Sequence, residues 1–325
     1  MNTSTTLHRL LDASLELPPE PTPGITSHLP MALHALQSLG ADDTRLESFF
    51  DAYRRKLEGG RRHAAAAPLD DWPSLLGDDA AFAPLQATFG ALLARQGVGE
   101  TLRRVLPVLL PGVCAAAFHG VIRTAHAVET GHRGELAAAL AYWGWRWQPL
   151  LAPPADDALP FDGWAARLIA EAPAWTMQAP LISLRMAGAS ESKPYRALAG
   201  RLAPSPALLP QLAALAVARY AETRNFTVLH MVTGLRALRV LSPWLALDET
   251  LARGLVHAFT AAYLAARIPA APEPPQAPPR SWDEVIAAAI AQDDDHVIKI
   301  VHACRAEAAA YGEGRYLQAA RVAVA

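Results

Sequence analysis

Apolar residues recur at three- and four-residue spacing along most of this chain, and alanine and leucine supply most of them. This spacing constrains the fold more than any other feature. Residues three and four apart share one face of a 3.6-residue helix, whereas a half-buried strand requires strict alternation. Runs of β-branched residues are rare, and no Asn-Gly or Asp-Gly hairpin signal separates alternating segments. The pattern predicts helices near 5–16, 28–40, 43–59, 80–96, 99–106, 111–130, 134–148, 162–171, 207–221, 226–241, 248–267, 281–292 and 294–311. The expected fold class is all-α.

Several helix ends carry their own signals. Pro111 suits a first turn, where its missing N–H costs nothing, and Gly131 suits a helix end. Ser281-Trp282-Asp283-Glu284 matches a capping box. Asp293-Asp294-Asp295 reads as a turn that puts negative charge at the positive end of the following helix. Pro-rich connectors are expected at 17–24 and 269–280, because proline fixes φ and interrupts helix. A single large multi-helix domain over residues 1–325 is expected, since the segment beyond the second connector shares the histidine pattern described below. No repeat period is evident.

Composition excludes several classes. Hydrophobic residues make up 52% and charged residues 18% of the 325, a globular balance. A formal net charge of -2 favours neither nucleic acid nor an anionic membrane. No stretch provides the roughly 20 uninterrupted apolar residues of a membrane span. The N-terminal residues have early acids and no apolar core, unlike a secretory signal. Cys114 and Cys304 lie within apolar helical patterns and read as reduced core thiols. The expected location is cytoplasmic.

Familiar catalytic motifs are absent. There is no HExxH, no phosphate loop and no G-x-G-x-x-G, and the lone Glu-x-x-His pair, Glu129 to His132, is interrupted by Gly131. Eleven histidines are present, several inside apolar helical faces: His28, His119, His126, His230, His296 and His302. Imidazole is costly to bury without a partner. A single such histidine is usually a satisfied core residue, but several on long apolar helices point to a shared metal site in the helical core. His296 and Lys299, three apart, project from one helix face. His28 and His34, six apart, diverge, so at most one reaches a common centre. Lys299, flanked by Ile298, Ile300 and Val301, reads on its own as a snorkelling side chain. Tyr142, Trp143, Trp145 and Trp147 suit either a flat aromatic pocket or ordinary core packing.

The segments SHLPMALHALQSLGA, FHGVIRTAHAVE, LHMVTGLRALRVL and DDDHVIKIVHA, in this order, resemble the questin oxidase-like family. The resemblance implies an oxidoreductase: a non-haem iron oxygenase that uses O2 on planar aromatic ketones or quinones, with C–C bond or ring cleavage of Baeyer–Villiger or dioxygenase type. It also implies Fe2+ held by His28, His119, His230 and His296, with Lys299 carboxylated by CO2 as an anionic oxygen ligand. Ser27 stands where the family usually has Asn. Some family reactions use NADPH, although no nucleotide motif occurs here. A small aromatic substrate is the expected partner, with no nucleic acid and no membrane. His126 and His302 are candidates for proton transfer or buried neighbours of the site, and Glu129 either orients an imidazole or is a solvated helix-end charge. The alternative function is a non-catalytic metal- or small-molecule-binding helical protein.

Overall fold

Helical spacing along the sequence becomes fifteen α-helices among the described residues and no strand beyond two isolated bridges. The computed structural model describes residues 5–153, 157–203, 205–246 and 248–325. Residues 1–4, where the reading of the N-terminus begins, lie outside them. The helices are α1 (Thr5–Leu15), α2 (Leu29–Leu39), α3 (Asp43–Arg54), α4 (Phe82–Leu109), α5 (His119–Thr130), α6 (Arg133–Trp145), α7 (Phe161–Glu171) and α8 (Ile182–Ser190). They continue with α9 (Lys193–Leu198), α10 (Leu208–Thr223), α11 (Phe226–Leu241), α12 (Glu249–Ala265), α13 (Trp282–Ile290), α14 (Asp295–Tyr311) and α15 (Glu313–Ala323). The all-α expectation holds. No helix of the described residues is long and apolar enough to cross a membrane.

Most predicted boundaries match to within a few residues, and two departures have physical causes. The helix expected over 111–130 starts only at His119, because Ala116, Ala117 and Phe118 take φ of 46°, 58° and 69°. Three successive non-glycine residues in the left-handed region cost about 1–3 kcal/mol each and persist only where the surroundings enforce them. Helices α8, α9 and α15 are not anticipated by the pattern: the first two are short, and α15 restarts after Gly312, whose φ of 98° breaks α14. The expected break between the pieces at 80–96 and 99–106 is present within α4, at Gly97, whose φ of 79° is not helical.

Four helices position the site. Helix α2 packs on α5, α5 on α11, α11 on α14, and α14 back on α2, which closes a ring. Helix α6 supports that ring from behind, and every residue from Glu135 to Trp145 is buried. A helix apolar on all sides belongs inside a core. Gly120 permits the close approach of α5, since a Cβ there would stand 2.7–2.9 Å from Trp143. The aromatic run is therefore core packing: Trp143 donates to Gly112 O, Trp145 to Asp79 O and Trp147 to Leu109 O.

The α5–α6 contact also buries an ion pair. Arg123 donates from Nε and Nη2 to the two oxygens of Glu135 at 2.6 and 2.9 Å, with the residues 5% and 1% exposed. Removing one partner strands the other charge away from water. Glu135→Ala is therefore expected to destabilise the protein by about 3–5 kcal/mol, measured by urea denaturation. A loss below about 1 kcal/mol would mean that Arg123 finds solvent.

Candidate metal centre

Four histidines from four segments meet within the helical ring. His28 is the N-cap of α2, and its backbone N–H donates to Tyr53 Oη at 2.9 Å. His119 opens α5 directly after the left-handed turn. His230 lies in the second turn of α11, a helix capped by the Asn225 side chain. His296 lies in the first turn of α14, where Asp294 accepts from the His296 and Val297 N–H groups. Ring centroids lie 4.6 Å apart for His28–His119 and for His28–His296, 4.8 Å for His119–His230, and 5.4 Å for His230–His296. The rings thus form a closed circuit. Lys299 stands beside it, 3% exposed.

The hydrogen bonds around the circuit share one pattern. His28 Nδ1 donates to Asp295 Oδ1 at 2.5 Å, and His296 Nδ1 lies 3.0 Å from the same oxygen. His119 Nδ1 donates to Ala116 O at 2.5 Å, and His230 Nδ1 to Phe226 O at 2.7 Å. Each neutral ring therefore holds its proton on Nδ1 and keeps a bare Nε2 lone pair. Nε2 of His119 and of His296 is buried with no hydrogen-bond partner. Unsatisfied buried nitrogens are costly, and a cation would satisfy them. One ligand atom from each of His28, His119 and His296 falls within 4.8 Å of the others. By donor type, spacing and unmet hydrogen-bonding capacity, these residues fit a divalent transition metal.

The electrostatics keep the donors ready. Burial, then the Lys299 charge, pushes His28 down to about 3, against the opposing pull of Asp295. Burial is also the main cause that holds His119 and His230 well below the ordinary histidine value, and it lowers His296. Burial brings Lys299 down to about 8, although Asp295 and Asp294 work against it. Burial alone would raise the Asp295 carboxyl, but His28 beside it and hydrogen bonds from His28 and His296 hold it well below the usual carboxylate range.

Asp295 is the residue that sequence reasoning missed. The run of three aspartates reads as helix-end charge, and Asp293 and Asp294 are indeed exposed there. Asp295 instead turns inward at 8% exposure, with its Oδ1 3.9 Å from Lys299 Nζ. Its four-residue spacing from Lys299 was the available signal.

A cavity of about 150 Å³ opens onto the circuit, lined by the four histidines together with Ile25, Ala116, Ala117, Leu181 and Phe226. A larger apolar cavity of about 330 Å³ lies beside Cys114, Leu150 and His257. It gathers no set of ligating side chains, so the chemistry assigns the site to the smaller one. Phe226 is 53% exposed at the mouth, and its ring lies 4.8 Å from His230 and 4.6 Å from His296.

The remaining candidates go elsewhere. His126 and His302 meet His34 in a separate buried group, with ring centroids 5.0–5.4 Å apart. Glu129 lies at the edge of that group and accepts from Arg236 with both oxygens. The divergence of His28 and His34 is realised, since they serve different clusters.

No curated protein matches this sequence significantly. The family model described as questin oxidase-like matches residues 25–149 and 207–304, two stretches that include all four histidines of the circuit, Asp295 and Lys299. The chain belongs to the questin oxidase-like family.

Proposed function

We propose that this chain is a non-haem iron oxygenase acting on a planar aromatic ketone or quinone-type substrate. His28, His119, His230 and His296, with Lys299, would hold Fe2+. The observation that carries the reading is the uniform arrangement of the four imidazoles: each Nδ1 is anchored outward, and two of the Nε2 atoms are buried without a partner. Bound iron would supply the one-electron chemistry that lets O2 react with a closed-shell organic molecule.

The protein's own residues supply the rest. Asp295 and the carbonyls of Ala116 and Phe226 hold the Nδ1 protons, which sets tautomer and ring orientation. Lys299, lowered to about 8, presents a usable fraction of free amine near neutral pH. Its Nζ lone pair would attack the carbon of CO2: an N–C bond forms, one C–O π bond opens and leaves its electron pair on oxygen, and one N–H proton passes to solvent. The product is a carbamate anion, and that anion offsets part of the cation's charge beside four neutral imidazoles. The apolar mouth suits a flat ring system: Phe226 provides a stacking face, while Ile25 and Leu181 exclude water.

The test measures metal in protein purified without an affinity tag, then O2 uptake with anthraquinone- and quinol-type compounds. Stoichiometric iron and substrate-dependent O2 uptake are expected. Absence of metal under iron-replete expression would reject the reading, and iron without O2 uptake would leave a non-catalytic binding protein. Asp295→Asn should weaken metal affinity about 10–100-fold in a competitive chelator titration. The helix itself should be kept, because Asp294 supplies the cap. Unchanged affinity would reject the orienting role.

A further inference from the structure

We propose that His34, His126, His302 and Glu129 form a second, separate site for a divalent transition-metal ion. This goes beyond the oxygenase reading and does not depend on it. Three of the helices that build the first circuit also build this one. His34 follows His28 by six residues, His126 follows His119 by seven, and His302 follows His296 by six. At 1.5 Å rise per residue, these donors sit roughly 9–10.5 Å further along each helix. The two ions of a bridged dinuclear centre are only about 3.5–4 Å apart, so this would be a distinct site.

The donor set is built for an ion. His34, His126 and His302 are 6%, 4% and 6% exposed. His34 Nδ1 and His126 Nδ1 approach to 2.8 Å, and Glu129 Oε2 lies 4.0 Å from His34 Nδ1. One ligand atom from each of His34, His126 and Glu129 falls within 4.8 Å of the others. The far nitrogen of His34, Nε2, is tied to Ser38 Oγ at 3.2 Å, which fixes the ring with Nδ1 facing the cluster. His302 Nδ1 is buried with no hydrogen-bond partner. A single hydrogen bond between His34 and His126 leaves that third ring unsatisfied, whereas a cation accepts a lone pair from every ring.

Arg236 does not forbid a cation. Its charge is matched by Glu129, which accepts from Nη2 with both oxygens at 2.5 and 2.6 Å. That pairing orients the carboxylate, as hydrogen-bonded partners do for ligating carboxylates elsewhere. Burial keeps all three imidazoles neutral, the form that binds metal. Three imidazoles and one carboxylate suit Fe2+, Co2+ or Zn2+ over Ca2+ or Mg2+.

The experiment adds Co2+ to chelator-stripped, tag-free full-length protein and counts bound equivalents by elemental analysis, with visible absorption to report the ligand field. Wild type is expected to bind two equivalents. His34→Ala/His126→Ala should lose one and His119→Ala/His230→Ala the other. One equivalent in wild type, abolished by the His119/His230 changes and kept by the His34/His126 changes, would overturn the second site and leave the first standing. One equivalent with the opposite dependence would reject the first site and keep the second. The wild-type count is read without any variant, so a variant that fails to fold does not protect the proposal. Glu129→Gln, a near-isosteric change at a side chain 30% exposed, is expected to weaken one of the two equivalents about 10-fold and spare the other. Equal affinity for both in that variant would remove Glu129 from the ligand set.

Discussion

Acidification from neutral pH towards about pH 5 is expected to unfold the metal-free protein cooperatively, with uptake of several protons. Seven buried or largely buried histidines, His28, His34, His119, His126, His230, His296 and His302, have folded values below the ordinary 6.5. A depressed folded value means that the unfolded chain binds the proton first. Stability is therefore complete above about 6.5 and falls as pH drops from there towards the folded values, which are about 3 for His28 and His34. Each such group steepens the loss by roughly 1.4 kcal/mol per pH unit within that window. Several acting together exceed a typical total stability of about 5–15 kcal/mol within one or two pH units. Asp295 does not share this window, because its unfolded carboxyl titrates near 3.8, below the histidine range. The measurement is helical circular dichroism against pH in chelator, paired with urea midpoints at two pH values. Stability that stays flat from pH 7 to about 4.5 would show that the histidines already hold protons in the fold.

His119→Ala and His230→Ala are expected to lose metal and O2 uptake together. Each removes an imidazole whose partner-bonded Nδ1 and bare Nε2 leave no other evident task. Metal affinity should fall by at least about 100-fold, beyond the effect of losing an orienting contact. The stability signature separates a ligand from a packing residue. An ion present at about 1,000 times its Kd adds about 4 kcal/mol to wild type, so wild-type melting should rise with added Fe2+ under anaerobic conditions. The two variants should melt at a temperature that added metal does not move. Wild-type metal occupancy in both variants would reject the assignment. Loss of activity with the metal-dependent rise in melting intact would make the residues substrate contacts instead.

Particular residues show where local pattern stopped being informative. The Ser281–Glu284 capping box and the Gly131 helix end form as read, because a cap depends on residues within one turn of each other. The start of α5 does not, because the left-handed turn at Ala116–Phe118 uses residues with no local preference for it. Such a turn exists only where surrounding packing enforces it. The partners of Glu129 and Asp295 were not legible for a related reason. Both carry helix-end charge in sequence, yet one meets Arg236 from another helix and the other meets His28 from the far end of the chain.

The sequence alone determined the all-helical class, the Pro-rich breaks, the family, and the separation of His28 from His34, since all of these follow from composition, short-range periodicity or motif order. The family resemblance named His28, His119, His230 and His296 as one set, but only the tertiary structure brings their rings together, places Asp295 against two of them, and gathers His34, His126 and His302 apart from the first circuit. Those facts depend on how α2, α5, α11 and α14 close into a ring. The contacts that close it join residues as far apart as His28 and Asp295, and no local periodicity encodes a pairing across that distance.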